Sequence, residues 1–330
     1  MRKRDDSDTI TTVSDATRIL KKLESNKDSF RSTGWPFDRF PFGLWFRGQS
    51  RKNGQLEPRV FRTISRASSE AQNTNHRHDE TNLYVHAKLR AANYQQTYHS
   101  AFDWLCLMQH YSIPTRLLDW SESILIALYF AVRDISDLEG QREGGIREDI
   151  ESEVVALNAR ALNYRTKGPF TNSEKKRPSI ATPDSEDTVI RSEMASTRSL
   201  KNLQECAAVQ EAARSGRITL GAPEWIEPFR APIAVFPSRL NERMIFQSSV
   251  FTLHGGKHYV GGFESFYPND TIPEPISLEE INKGEYILQR YRIPKKRRGE
   301  IRRELFKLGI HEGTLFPELD RQSIYLRQLW

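Results

Sequence analysis

Between Met108 and Val132 the chain reads MQHYSIPTRLLDWSESILIALYFAV. His110, Arg116, Asp119, Trp120, Ser121 and Glu122 stand directly ahead of an apolar helix. Polar and charged side chains at that density, beside apolar ones, cost free energy unless they pair with one another or with a ligand. The stretch therefore predicts the lip of a pocket. Pro114 ends the preceding helix. Thr115–Trp120 reads as a turn, and Ser121 as the cap of a helix over Glu122–Asp134, with Glu122 at its positive end.

The 330 residues suffice for one large domain or two ordinary ones. Hydrophobic residues at 37% allow a core, and charged residues at 28% give a very polar surface. No apolar run reaches about 18 residues, so no transmembrane helix and no membrane partner are expected. The basic start MRKRDD has no apolar segment behind it, which argues against a secretory signal. Cys106 and Cys206 form neither a metal spacing nor a disulfide framework. Cys106, in DWLCLM, reads as a buried thiol. This cysteine usage predicts a cytoplasmic protein. A net charge of +6 and a pI near 9.2 favour acidic partners such as nucleic acid or a phosphorylated cofactor. The basic excess is local: Tyr291–Arg303 reads YRIPKKRRGEIRR. It is either a solvated helix start or a footprint on a phosphate backbone.

Residues 1–13 are read as disordered and 14–330 as a single domain. Ser14 or Asp15 could cap a first helix, SDATRILKKLES. Gly43–Gln49 reads as a buried strand entering a turn, and Leu56–Arg62 as a loop leading to a polar connection, Ala67–Asn75. Helices are expected over Asp79–Ala101 and Ala101–Tyr111. Glu139–Asp149 is a charged loop and Val154–Asn158 a strand. The polar stretch 164–200 reads as an insertion or mobile lid, followed by a helix over 201–214. Ala231–Phe236, Arg243–Leu253 and Tyr286–Ile293 read as strands. Lys296–Leu308 reads as a helix ended by Gly309, and the tail as a loop and a final helix. Helices first and mostly strands later point to an α+β fold.

Four places could carry chemistry. At Phe46-Arg47-Gly48-Gln49, a strand ending in Arg-Gly exposes a guanidinium suited to phosphate or carboxylate, and Gly48 lets a ligand approach. The alternative pairs Arg47 with a carboxylate such as Asp119. In Gln109–Ser121, His110 has a pKa class useful for acid–base work, Asp119 could orient Arg47, Arg116 or a ribose hydroxyl, and the helix start behind Ser121 is a ready anion site. In Asn241–His254, Gln247 in mid-strand needs hydrogen-bond partners. Glu242 and Arg243 stand at the strand's mouth, as ligand-binding groups or as a surface pair. In GIHEGTLFPELD, Glu312 is acidic within a packed loop or a site. No Gly-rich phosphate loop, HExxH, GxSxG or paired CxxC occurs, which argues against an NTPase, a zincin, an α/β-hydrolase and a zinc module.

These residues resemble the FRG domain family, named for the Phe-Arg-Gly seen here at Phe46–Gly48. The likeness continues through LEPRVFR, QHYSIPTRLLDWSESILIALYFA, VVALN, RMIFQSSVFTLHG and LGIHEGTLFPELD, with 164–200 as a variable insert. A second, looser resemblance is to ADP-ribosyltransferases. These carry Arg-Gly on a first core strand, a small polar segment followed by an Ala-x-x-Phe-Ala helix, and a catalytic Glu on a late strand. Arg47-Gly48 looks like the first element, Asp119-Trp120-Ser121 with Ala127–Ala131 like the second, and Asn241–Thr252 like the third. Asp-Trp-Ser stands where Ser-Thr-Ser is usual, and Glu242 or Gln247 where a Glu is expected. The resemblance implies a helical N-terminal part packed on a split, mostly antiparallel sheet. It also implies NAD as co-substrate without a metal, and a toxin or phage-defence effector that modifies RNA, DNA or a protein and could be held by a neutralising antitoxin.

On that resemblance Arg47, Asp119, Glu242 and Gln247 are the catalytic candidates, with Glu312 also open. Gly48, Gln49, His110, Arg116, Trp120, Ser121, Tyr129 and Arg243 would hold the cofactor, Trp120 or Tyr129 stacking on nicotinamide. A different class of reading is a non-catalytic nucleic-acid or nucleotide-binding module using the same basic pocket. A third is a metal-dependent nuclease built on His110, Asp119 and Glu122.

Overall fold

The computed structural model describes residues 8–25, 43–51, 54–63, 77–94, 97–133, 151–166, 180–220, 223–259, 269–282 and 287–329. The expected connections Ala67–Asn75 and Glu139–Asp149 lie outside them. The strands are β1 (Leu44–Gln49), β2 (Leu117–Ser121), β3 (Ser152–Asn158), β4 (Ile233–Val235), β5 (Ser249–Leu253) and β6 (Leu288–Ile293). They form one sheet in the order β4-β5-β2-β1-β3-β6. Every neighbouring pair is antiparallel. The first helices are α1 (Val13–Ser25), α2 (Glu80–Arg90), α3 (Ala101–His110), α4 (Ile124–Val132), α5 (Ala159–Thr166) and α6 (Glu186–Ser196). The fold is α+β, but helices and strands interleave rather than following one another in blocks.

The sheet is nearly divided at its centre. Six residue pairs join β1 to β3, from Leu44↔Asn158 to Gln49↔Glu153. A single pair, Phe46↔Ser121, joins β1 to β2. Beyond it the two strands part, and the gap positions the candidate site.

Pleating sends alternate residues to opposite faces. Leu44 and Phe46 pack with α4, α1 and the helix Arg298–Lys307. On the same face, over β2, β5 and β4, Leu117, Phe251 and Val235 pack with α3. Trp45, Leu118, Trp120 and Val155 fill the opposite face with Leu162 of α5. Helix α1 is amphipathic: Val13, Ala16, Ile19 and Leu23 are buried at helical spacing.

Several local expectations are corrected. Residues 9 and 10 are ordered, because Thr9 bridges Arg292 of β6 and Ile10 is fully buried. Thr12, not Ser14 or Asp15, caps α1: its hydroxyl accepts from the Asp15 amide at 3.2 Å, and the Asp15 carboxylate accepts from the Thr12 amide at 3.0 Å. The expected helix Asp79–Ala101 stops at Arg90, with Asp79 as its cap. Thr115–Trp120 is mostly strand, not turn. Both faces of β2 are covered except at Asp119, so the period-two signal is absent. Ser123, not Ser121, caps α4. Arg243–Leu253 is not one strand: Asn241 caps a helix over Glu242–Phe246, and β5 starts at Ser249. Ser248 links them with φ +46°. Much of the described part of the supposed insert is built into the fold. Ala181 bridges Val235, and α6 buries Ile190, Arg191 and Met194. Arg191 is held there by the carbonyls of Ala231 and Pro228, both at 2.8 Å. Cys106 is buried, as expected. Among the described residues no helix is long and apolar enough to cross a membrane.

Candidate functional site

A cleft of 610 Å³ opens where β1 and β2 part. Phe46, Arg47, Gly48 and Gln49 of β1 form one wall, and Leu117–Ser121 of β2 the other. Ala127 and Phe130 of α4, Gln109 of α3, and Arg243, Gln247 and Ser249 complete it. Arg51, Arg59, Arg62 and Arg133 also line it, so among the described residues six arginines and one carboxylate, Asp119, line the cleft.

Arg47 bridges the gap. Its Nη1 donates to the Asp119 carbonyl at 2.7 Å, where the parted strands exchange no ladder pair. The same nitrogen lies 3.8 Å from the Asp119 carboxylate. Its Nε is buried with no hydrogen-bond partner among the described residues. Burial lowers the Arg47 pKa, Asp119 opposes the shift and Arg62 adds to it. The Asp119 side chain is half exposed and aimed by a relay. Gln109 Nε2 donates to its Oδ2 at 2.7 Å, and the Thr115 hydroxyl donates to Gln109 Oε1 at 2.6 Å. The amide is thus fixed at both ends.

Four of the other cleft arginines are positioned by main-chain carbonyls or ring faces. Arg59 Nη1 donates to the Ser112 carbonyl at 3.0 Å, and Arg62 donates to the Glu57 carbonyl through Nε and Nη2, at 3.0 and 2.8 Å. Arg243 lies 4.6 Å over the Phe316 ring, and Arg133 lies 5.2 Å over Phe130. Carbonyls and ring faces position a guanidinium without cancelling its charge. The cleft therefore suits a polyanion, with Phe130 as an apolar wall.

The candidates divide sharply. Arg47, Asp119, Gly48, Gln49, Trp120, Ser121, Arg243 and Gln247 reach the cleft, but several do so in unexpected ways. Gly48 serves helix packing: a Cβ there would lie 1.9 Å from the Ala127 carbonyl oxygen of α4. The Trp120 indole is buried and donates to Thr252 Oγ1 at 3.1 Å, so it cannot stack on a ligand. Ser121 Oγ donates to the Gln247 carbonyl at 2.8 Å. The Gln247 amide donates to the Leu315 carbonyl at 3.0 Å.

Arg116, His110, Tyr129, Glu242 and Glu312 do not line the cleft. Arg116 is fully buried, with Nε on Glu80 at 2.7 Å and Nη1 on the carbonyls of His254 and Gly256, both at 3.1 Å. It is a core ion pair, not a ligand group. His110 Nε2 lies 3.6 Å from Glu318; burial lowers its pKa, and Arg243 adds to that. The Tyr129 hydroxyl donates to Glu312, and both side chains are buried. Glu242 is exposed. Of the three residues of the nuclease reading, Glu122 pairs with Arg239. Among the described residues no three His, Cys, Asp or Glu side chains are grouped to hold a metal ion.

Gln109, Phe130, Arg59, Arg62 and Arg133 were not singled out from the sequence. The paired arginines of LEPRVFR were the one signal available. Arg59 opens a short 3-10 turn, Arg59–Phe61, and Arg62 caps its end; Val60 and Phe61 between them are buried, so the flanking arginines are turned outward.

The FRG domain model matches residues 43–139, which include β1, β2 and α4 and so both walls of the cleft. No curated protein matches the chain, and no solved structure does.

Proposed function

We propose that the protein is an NAD-consuming ADP-ribosyltransferase working in the Arg47–Asp119 cleft, as a toxin or phage-defence effector that modifies a nucleic acid or a protein. The observation that carries this reading is the meeting of Arg47 with Asp119, the only carboxylate among the described residues lining a 610 Å³ arginine-rich cleft between two parted strands. Small-molecule sites occupy about 300–1,000 Å³, and NAD brings two phosphates. The order Arg47-Gly48 on β1, Asp119–Ser121 on β2, then α4, also supports it. So does the near-division of the sheet.

In this mechanism the ribose C1′–N bond breaks and nicotinamide leaves with the bonding electron pair. C1′ passes through an oxocarbenium-like state and bonds to the acceptor's nucleophile, which gives up its proton. Arg47 neutralises the pyrophosphate, and Phe130 walls the nicotinamide. Asp119 holds a ribose hydroxyl, favours the cationic transition state and takes the acceptor proton. Glu242 and Glu312 are not assigned the acid's role, because neither lines the cleft. Replacing Asp119 with Asn is expected to slow nicotinamide release by about 100-fold, with little change in thermal stability because the side chain is half exposed. An undiminished rate in the Asn variant would refute the assignment.

The second reading is a nucleotide- or nucleic-acid-binding module that cleaves nothing. It is favoured by the exposure of Glu242 outside the cleft and by the engagement of Gln247 with Leu315. It predicts NAD or RNA binding with no nicotinamide release.

A further inference from the structure

A second cavity, of 470 Å³, lies beside the cleft and shares Gly54 and Gln55 with it. Glu57, Pro58, Phe61, His258, Pro275 and Ile276 are among its lining residues. The strap between the two cavities is pinned: Arg290 donates to the Gly54 carbonyl at 3.1 Å and to Glu279 at 3.0 Å, and Glu279 accepts from the Leu56 amide at 3.1 Å. Phe61 and His258 stand in its wall edge to face, with ring centres 5.3 Å apart.

Resting on the transferase reading, we propose that this second cavity receives a nucleobase of a nucleic-acid acceptor, with Glu57 accepting from the base's N–H edge and the flanking phosphate on Arg59 and Arg62. The Glu57 carboxylate makes no hydrogen bond or ion pair among the described residues, while its main-chain carbonyl anchors Arg62. Burial raises its pKa, against the opposing pull of Arg77 and Arg62. Glu279, the other carboxylate lining the cavity, is engaged by Arg290 and the Leu56 amide; the Glu57 carboxylate, beside Pro58, Phe61, Pro275 and Ile276, suits a planar ring with N–H donors. A lysine or arginine of a protein acceptor would bring a cation next to Arg62 and Arg77, which repel it. A nucleotide brings a neutral ring and an anion that the same arginines attract.

The test measures fluorescence anisotropy of the full chain with labelled single-stranded RNA and DNA oligomers and with an abasic phosphodiester of equal length. Base-containing oligomers are expected to bind at least about 10-fold more tightly than the abasic strand. E57Q, and Ile276→Trp filling the cavity, are expected to remove most of that difference, with folding checked by circular dichroism. Equal affinity for the abasic strand overturns the proposal and needs no variant. No oligomer binding, wild-type binding by both variants, or tighter binding of an arginine-rich peptide than of any oligomer also overturns it. Nicotinamide release is read separately, so failure of the transferase reading is distinguishable from failure of the base pocket.

Discussion

Gly48→Ala is expected to destabilise the fold by about 3 kcal/mol or more, read as a fall in the midpoint of urea unfolding. Overpacked cores usually lose about 1–3 kcal/mol because side chains shift aside. Here nothing can rotate away. The new Cβ would lie 1.9 Å from the Ala127 carbonyl oxygen and 2.5 Å from the Ala131 amide nitrogen, both main-chain atoms of α4. Helix α4 would have to lift from β1, and that interface also buries Phe46, Ala127 and Ala131. The Phe-Arg-Gly triplet therefore has a physical division of labour. Phe46 fills the core, Arg47 spans the gap to Asp119, and Gly48 lets α4 press onto the strand. A midpoint within about 0.5 kcal/mol of wild type would contradict this packing.

Glu80→Ala should cost about 3–5 kcal/mol, since removing one partner strands a buried charge. Arg116 is fully buried, and Glu80 accepts from both its Nε and its Nη2. Its remaining bonds go to the carbonyls of His254 and Gly256, which orient the guanidinium without neutralising it. The pair ties the start of α2 to the approach to β2 and to the segment after β5. A double variant, Glu80→Ala with Arg116→Met, is expected to recover much of the loss, because it removes the orphaned charge and keeps apolar volume. Urea unfolding of the single and double variants checks this. Equal destabilisation in both would show that Glu80 acts by something other than pairing Arg116.

Arg116 and Arg47 look alike in the sequence and are placed differently by the fold. Both arginines neighbour an apolar element, and both read as ligand-binding groups in the sequence. What separates them is Glu80, 36 residues before Arg116 and brought to it only by the docking of α2. The strand carrying Arg47 was legible because Leu44-Trp45-Phe46 is a short apolar run ahead of a turn. Strand β2 was not, because its two covered faces erase alternation around Asp119. The sequence over Glu242–Phe246 reads as strand although the segment is helical, and Asn241 stands three residues before Met244, whose amide its side chain caps at 2.9 Å. That spacing is a helix-start signal that the apolar run concealed. The arginines added by the Arg59–Phe61 turn and by Arg133 after α4 come from separate segments, so no local pattern could announce them. The cleft itself comes from a pairing register, one pair between β1 and β2 against six between β1 and β3. Residue periodicity does not encode that difference.

The most direct test of the account is nicotinamide release from NAD by the full chain, with and without RNA, DNA and cell lysate, beside Arg47→Ala. The guanidinium is partly exposed, so the variant should stay folded. The wild-type chain is expected to release nicotinamide, and the rate to fall at least about 100-fold in Arg47→Ala. No release under any condition, or release undiminished without Arg47, would contradict it.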